Sequence, residues 1–345
     1  MSTRFLKTGS LPACFKRSPY VPLFFFLLSF AFFLQACTGP GQFEAGEDTG
    51  ERFSEDLNAV HFVDGREGWA VGTRGSLLHT VNGGASWDRQ ETGSSRDFMD
   101  LFFVDRNNGW IVGEGGIILR TLSAGLSWER QESPVEETLN SVYFTDINMG
   151  WAVGDGGTLL YTTDGGLFWL AISDGERRNY NDVWFKDLNH GWIVGDQGLI
   201  RYTESSDNGG FWVTQVSGTP RNLRSIYWTG TQAHAVGDSG AILQTVTAGF
   251  SGGVNWNALP PGLSNADLMD VFFVRPSKGW IPGSDGRIMH TEDGGQNWSD
   301  RSPAAGVPLN AVAFINENIG WAVGQDGTIL HTLDGGFFWI TQRVR

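Results

Sequence analysis

The chain has 345 residues, a formal net charge of −14 and only two cysteines, which argues against a nucleic-acid-binding surface and against a disulfide framework. Its 48 glycines and 15 tryptophans, beside only 18% charged residues, favour an all-β protein with many tight turns and a core rich in large aromatic side chains. The excess of acidic residues favours solubility, and it would attract a basic patch on a partner.

The first 36 residues have the pattern of an export signal. Four basic residues precede an apolar run from Val21 to Phe33, and residues 34–37, LQAC, match a lipobox. The apolar run is shorter than the about 20 residues of a membrane span. We expect cleavage before Cys37 and a diacylglycerol on its sulfur, as in the bacterial lipoproteins that this segment resembles. An uncleaved anchor and a plain secretory signal are the alternatives.

Three segments follow from this interpretation: a signal peptide at 1–36, a lipidated Cys37 with a flexible acidic tether at 37–56, and a folded domain at 57–345. Cys14 lies in the discarded segment, so the folded domain has no thiol for a disulfide, a metal or a nucleophile. We expect the protein on the periplasmic side of the cell envelope. Thr38 is not the aspartate of an inner-membrane retention signal, which favours the outer membrane; a cyanobacterial host would place it in the thylakoid lumen.

From Leu57 onward the chain repeats, and the first marker is Gly-Trp-x-Val-Gly. The first three intervals between copies are 41 residues each; His234 replaces the tryptophan of the fifth copy, and the later intervals are 42, 46 and 41 residues. The marker tryptophans are Trp69, Trp110, Trp151, Trp192, Trp280 and Trp321. A period of this length with several short strands in each copy indicates a propeller or a solenoid.

One period predicts four strands. Residues 139–144, 150–154 and 158–162 have strand character, and Trp169 opens a fourth strand. Asp155-Gly156-Gly157 forms the hairpin between the second and third strands, because glycine permits a positive φ. Seven such periods predict a seven-bladed β-propeller of four-stranded antiparallel blades. Its closure is left open between packing of blade one on blade seven and an added edge strand from residues 40–56.

The second marker is an Asp-box turn, Ser/Thr-x-Asp-x-Gly-x-x-Trp, between the third and fourth strands. Its hydroxyl and carboxylate satisfy turn amides, and its tryptophan covers the blade. The clearest copies contain Asp164 and Trp169, Asp207 and Trp212, Asp293 and Trp298, and Asp334 and Trp339; weaker copies end at Trp87, Trp128 and Trp256. Trp228, in a first-strand position that is phenylalanine in the other periods, is interpreted as compensating for His234 within blade five.

Together the two markers resemble the photosystem II stability and assembly factor family of BNR/Asp-box propellers, over about residues 57–345. The resemblance implies a non-catalytic assembly chaperone that binds a protein, and a basic patch on one face. We expect a monomer with no cofactor and no metal. Four arginines that precede or enter the inner strands of blades four and five, with Trp184 nearby, are candidates for partner binding: Arg177, Arg178, Arg221 and Arg224. Scattered solvated arginines are the alternative.

Two other functions remain as alternatives, a carbohydrate-binding lectin and a divergent sialidase-like glycosidase. Trp184 could form an aromatic platform for a sugar or a peptide. A sialidase needs three converging arginines, and only Arg224 occupies the matching register; a paired-carboxylate enzyme could use Asp100, Asp182 or Asp270. Polar residues at related inner positions are expected at the channel mouth: Asn58, Asp100, Asn140, Asp182, Asp270 and Asn310. His79, His290 and His331 share one position, which we interpret as a blade edge and not as a metal site.

Overall fold

The computed structural model describes residues 53–205, 209–245, 256–260, 263, 265–304 and 306–345. The proposed signal peptide, Cys37 and most of the tether lie outside these residues, as does Asp207. The described chain forms seven four-stranded antiparallel sheets, each with its strands in sequence order, which confirms the predicted fold. None of the described helices has the length and apolar character needed to cross a membrane.

The strands follow the repeat closely. Blades one to three contain β1 (Leu57–Phe62), β2 (Gly68–Gly72), β3 (Leu77–Thr80), β4 (Asp88–Arg89), β5 (Phe98–Phe103), β6 (Gly109–Gly113), β7 (Ile117–Thr121), β8 (Glu129–Arg130), β9 (Leu139–Phe144), β10 (Gly150–Gly154), β11 (Thr158–Thr162) and β12 (Leu170–Ile172). Blades four and five contain β13 (Tyr180–Phe185), β14 (Gly191–Gly195), β15 (Leu199–Thr203), β16 (Trp212–Gln215), β17 (Leu223–Trp228), β18 (Ala233–Gly237), β19 (Ala241–Thr245) and β20 (Trp256–Ala258). Blades six and seven contain β21 (Phe272–Arg275), β22 (Lys278–Pro282), β23 (Ile288–Thr291), β24 (Ser299–Asp300), β25 (Leu309–Phe314), β26 (Gly320–Gly324), β27 (Ile329–Thr332) and β28 (Ile340–Thr341).

The turns between second and third strands use the left-handed backbone predicted for them. In blades one to five these turns are single 3-10 turns at Thr73–Gly75, Glu114–Gly116, Asp155–Gly157, Asp196–Gly198 and Asp238–Gly240. Gly156 has φ 65° at the middle of its turn, and Gln197 is held at φ 56° in the equivalent place. Glycine adopts this conformation without a Cβ clash, whereas glutamine must be held there by its surroundings.

Three aromatic rings pack each blade against its neighbour. The ring of Phe144 stacks on Trp110 of the preceding blade at a centroid distance of 3.5 Å. It also meets Trp169, the box tryptophan of its own blade, edge-on at 5.8 Å. The same arrangement recurs at Phe314, between Trp280 and Trp339. Both markers of the sequence therefore converge on one aromatic contact between blades, a favourable arrangement of ring quadrupoles.

A hydrogen bond links the two markers as well. The indole N–H of Trp110 donates to the carbonyl of Gly165 in the next blade's box, at 2.9 Å, and Trp280 donates to Gly335 at 3.1 Å. In blade five, Nε2 of His234 lies 3.1 Å from the carbonyl of Gly294. His234 thus keeps the polar contact of the tryptophan that it replaces.

The proposed compensation within blade five is wrong in its location. Trp228 stacks on Trp192 and so fills the contact between blades four and five. His234 packs on Phe273 and lies in the contact between blades five and six. Because the two side chains leave opposite faces of the blade, the larger ring cannot fill the volume that histidine leaves.

The shared histidine position is also not a blade edge. His79 stacks on Trp69 at 4.9 Å, and His331 stacks on Trp321 at the same distance. Its other occupants include Arg120, whose guanidinium lies 5.6 Å from the ring of Trp110. The position is the cross-strand neighbour of the marker tryptophan, and in these three blades its side chain lies against the indole.

Over the residues that the structure describes, blade seven closes on blade one without a strand exchanged between sheets. Phe62 stacks on Trp321 at 3.5 Å, as at the other blade contacts. The C-terminal residues after β28 also contact blade one. Val344 forms a parallel bridge with Trp87, and Gln342 accepts a 3.0 Å hydrogen bond from the Trp87 indole. The open alternative of an edge strand from residues 40–56 falls almost wholly outside the described residues.

Candidate functional site

The central channel has two different mouths. One, the polar mouth, is a cavity of ≈ 420 Å³ lined by the first residues of the inner segments, including Asn58, Asn140, Asn181 and Arg224. The other, the aromatic mouth, is a cavity of ≈ 350 Å³ lined by the later residues of the same segments. Asp100, Asp182 and Asp270 line both cavities and form a waist between them.

The six polar inner residues predicted at the mouth belong to two successive registers. The asparagines hold neighbouring blades together at the polar mouth: the side-chain amide of Asn58 donates to the carbonyl of Phe98 at 2.7 Å, and that of Asn140 donates to Tyr180 at 2.9 Å. Asn310 closes the ring by donating to Leu57 at 2.9 Å. The amides are thus structural links, because each is tied to a backbone carbonyl of the next blade.

The waist aspartates occur in alternate blades and bind the blade that follows. Oδ2 of Asp182 accepts the N–H of Ile226 at 2.8 Å, while Oδ1 accepts its own blade's Val183 N–H at 2.8 Å. The hydroxyl of Ser141, in the preceding blade, also donates to Oδ1 at 2.8 Å. Asp270 repeats the pattern with Val312 and with Ser225.

Burial raises the pKa of all three waist carboxyls above the ordinary value of an aspartate. Burial raises the pKa of Asp182 to about 7, against the opposing hydrogen bond from Ile226 and with added repulsion from Asp100. Burial likewise raises the pKa of Asp100 to about 6, and it raises that of Asp270. No group of three metal-ligating side chains in the described part of the chain is placed to hold an ion.

The five predicted partner-binding residues do not form a single site. Arg224 lines the polar mouth, whereas Trp184 lines the aromatic mouth at the other end of the channel. Inner segments cross the whole channel, so residues close in sequence on one strand reach opposite ends. The sequence prediction grouped Trp184 with the arginines because they are near in the chain. In the structure, Trp184 and Arg224 lie at opposite ends of the channel, because each inner strand runs from one mouth to the other.

Two of the four arginines are paired with acidic side chains. Nη2 of Arg178 lies 2.6 Å from Oε2 of Glu176, and Nε of Arg224 lies 2.5 Å from Oδ1 of Asp238. Arg221 is exposed and donates to the carbonyl of Ser239 at 3.0 Å. Arg177 is exposed as well. The charge available to a partner is concentrated on Arg177 and Arg221, since the other two are neutralised within the chain.

The sequence interpretation missed a ring of aromatic side chains at the second mouth. Its members stand at one register of the seven inner strands: His61, Phe102, Tyr143, Trp184, Tyr227 and Phe272, with Ala313 in blade seven. All six rings are partly exposed. The signal was the residue just before the first-strand phenylalanine (Trp228 in blade five), which is phenylalanine, tyrosine or tryptophan in five of the seven repeats and histidine in a sixth.

The Asp-box turns have the predicted hydrogen bonds. In the best-defined copy the hydroxyl of Thr162 donates to Oδ1 of Asp164 at 2.9 Å and accepts the Gly166 N–H at 2.9 Å. The copies at Asp293 and Asp334 have the same contacts. In blade four, Trp212 donates to the carbonyl of Gly209 at 3.0 Å. The weaker first copy uses Asn82, which accepts the Thr80 hydroxyl at 2.9 Å.

Comparison with known structures gives the same fold. The chain is 21% identical to a protein described as "YCF48 bound to D1 peptide" (TM-score 0.67), covering 82% of this chain and 92% of that one. It is 19% identical to YCF48 from Cyanidioschyzon merolae (TM-score 0.65), over 82% and 98%. A GH74 xyloglucanase from Xanthomonas campestris is 13% identical (TM-score 0.67), over 85% of this chain but 55% of that one. The chain therefore spans about half of that enzyme.

A search of curated proteins returned no match. The family model described as "Photosynthesis system II assembly factor YCF48" matches residues 49–133, 126–260 and 253–345, which together include every blade. On this match, and consistent with the two markers that build its blades, the chain belongs to the YCF48 family of photosystem II assembly factors.

Proposed function

We propose that this chain is a non-catalytic propeller that binds a protein partner and assists assembly of a membrane or envelope complex. The supporting observation is the family match over all seven blades, together with a relative of the same fold described as bound to a D1 peptide. The partner of this chain is a protein segment that docks at a channel mouth.

The waist carboxylates favour binding over glycoside hydrolysis. A glycosidase needs one carboxyl free to protonate the leaving group and a second free to attack or to activate water. Asp100, Asp182 and Asp270 each accept backbone N–H groups at both oxygens. Among the described residues that line the two mouth cavities, Arg224 is the one arginine, where a sialidase needs three. Likeness to GH74 enzymes at 13% identity concerns the fold alone.

The partner-binding role is tested by crosslinking in cells followed by mass spectrometry. We expect Arg177→Glu with Arg221→Glu to remove the main crosslinked partner, because these two exposed arginines would attract an acidic segment of the partner. Arg66→Glu is the matched control: Arg66 is exposed in the turn after β1, at the other end of that strand. A partner set that is unchanged in the double variant contradicts the arginine hypothesis. A wild-type protein without any specific crosslink contradicts protein binding itself.

We also propose that a lipid on Cys37 holds the protein at the membrane. The supporting feature is the lipobox of residues 34–37 after the apolar run. Cys37→Ser should move the protein from the membrane fraction to the soluble fraction, and Cys14→Ser should leave it in the membrane. Retention of the Cys37→Ser protein in the membrane after a carbonate wash would contradict a lipid anchor.

A further inference from the structure

The aromatic mouth is a continuous wall of rings across five blade contacts. The centroids of Phe102 and Tyr143 are 4.8 Å apart, those of Tyr143 and Trp184 5.6 Å, and those of Trp184 and Tyr227 5.7 Å. Tyr227 and Phe272 continue it at 5.3 Å, and His61 meets Phe102 at 5.5 Å. Contacts at these distances hold each ring in place in the absence of a ligand.

The rings present their faces to the channel. The tilts between the neighbouring pairs from Phe102 to Phe272 lie between 44° and 51°, close to the seventh of a full turn that separates successive blades. Ring planes related in this way run along the channel axis. The hydroxyl of Tyr143 donates across the blade contact to the carbonyl of Phe185 at 2.8 Å, so the long axis of this ring follows the wall. The plane of the Tyr143 ring thus contains both the channel axis and the direction along the wall, so the face of the ring points towards the channel.

The described lining of the aromatic mouth favours a cation over an anion. The described residues that line the aromatic mouth include Asp100, Asp182 and Asp270 at its floor, but no lysine or arginine. Burial lowers the pKa of His61 to about 4, so this side chain is neutral. At the opposite mouth, by contrast, Arg224 is paired with Asp238. Aromatic faces add the negative side of their quadrupole to the three carboxyl groups.

On the basis of the proposed protein-binding function, we propose that the aromatic mouth receives an arginine or lysine side chain of the partner. A cavity of ≈ 350 Å³ accepts one such side chain, with the charged group between the rings and above the carboxylates. Cations over Trp and Tyr faces are stabilised most where water is displaced, and the planar guanidinium stacks best. The two ends of the channel thus differ in the segment that they select.

Paired peptides test the charge requirement. The purified full-length protein is titrated with a short peptide containing one arginine and with the same peptide containing citrulline, its neutral isostere, by calorimetry or by NMR. We expect a dissociation constant of about 1 mM for the arginine peptide and about tenfold weaker binding for citrulline. A lysine peptide and its norleucine counterpart should differ in the same direction.

Substitutions locate the site. Trp184→Leu should weaken arginine-peptide binding by about fivefold to tenfold, because Trp184 provides the largest face of the ring. Phe272→Leu should weaken binding in the same direction, and it is the replacement test if Trp184→Leu does not fold. Phe211→Leu is the control, since Phe211 is 78% exposed on an Asp-box turn outside the channel lining, and it should bind like the wild type.

The outcomes separate this proposal from the proposed function. Equal binding of the arginine and citrulline peptides overturns the cation site. Binding that is unchanged in both Trp184→Leu and Phe272→Leu also overturns it. Competition for the ring by neutral xyloglucan oligosaccharides is the third contradicting outcome. If the in-cell crosslinks survive in that case, protein binding stands and only the cation site fails. If the wild-type protein gives no specific crosslink in cells, protein binding is overturned, regardless of the peptide results.

Discussion

Aspartates accept backbone N–H groups in two regions of this propeller, at the channel waist and in the outer Asp-box turns. Burial raises the pKa of Asp182 to about 7. At Asp164 burial also acts to raise the pKa, but the hydrogen bonds from Phe168 and Thr162 outweigh it, and the pKa is lowered. The hydrogen bonds lower the pKa in both regions, and the net shifts are opposite because desolvation is larger at the enclosed waist than at the box turn.

The largest expected effect is that of Asp182→Ala. The change removes the acceptor of the Val183 N–H in the same blade, and of the Ile226 N–H and the Ser141 hydroxyl in the two neighbouring blades. We expect a loss of about 3 kcal/mol in the free energy of unfolding, measured by chemical denaturation. Asp182→Asn keeps one acceptor oxygen and should cost less. A loss below about 1 kcal/mol for Asp182→Ala would show that water replaces the carboxylate at the waist.

The pH dependence of stability should reveal the waist directly. A carboxyl with a raised folded pKa stabilises the fold fully below about pH 4, and the contribution is lost as the pH rises through about 7. Asp182→Asn should therefore change the slope of unfolding free energy against pH in this range by up to about 1.4 kcal/mol per pH unit, making stability fall less with rising pH. The measurement is a denaturation series between pH 4 and 8. An unchanged slope contradicts the raised pKa.

The box aspartates should act in the opposite direction and more weakly. Asp334→Ala loses the bonds from Thr332 and from the Phe338 N–H, and we expect a cost of about 1 kcal/mol at pH 7 that vanishes at low pH. Its control is Asp334→Asn, because Asn82 already fills this place in blade one. Thermal unfolding of both variants at pH 7 and pH 3 checks this. A cost that persists at pH 3 would point to packing and not to charge.

The smallest effect concerns the backbone of the box turn in blade two. Ala124 has φ 56°, where the best-defined boxes have glycines such as Gly335 at φ 76°. Ala124→Gly should relieve this strain and raise the unfolding free energy by about 0.5 kcal/mol, whereas Gly335→Ala should lower it by about 1 kcal/mol. Both are measured by denaturation at pH 7. If Ala124→Gly lowered the unfolding free energy and Gly335→Ala raised it, the entropy of the unfolded state would dominate at this turn.

Local pattern was sufficient for each blade. The strands predicted at 139–144, 150–154 and 158–162 coincide with β9, β10 and β11, because alternation and turn residues act within a few positions. The fourth strand begins one residue after Trp169, whose ring turns inward to Phe144. The role of His234 could not be predicted in this way, since its contacts include Gly294 and Phe273 in the next blade.

By itself the sequence determined the number of blades, their four strands and the Asp-box turns, since a repeated motif encodes what is local to one period. The tertiary structure decided which residues meet around the axis. It separated Trp184 from Arg224, joined Trp184 to Tyr143 and Tyr227, and brought Asp182 to Ile226. These partners lie about one period apart in the chain, and only closure of the ring sets their distance, their exposure to water and therefore their charge.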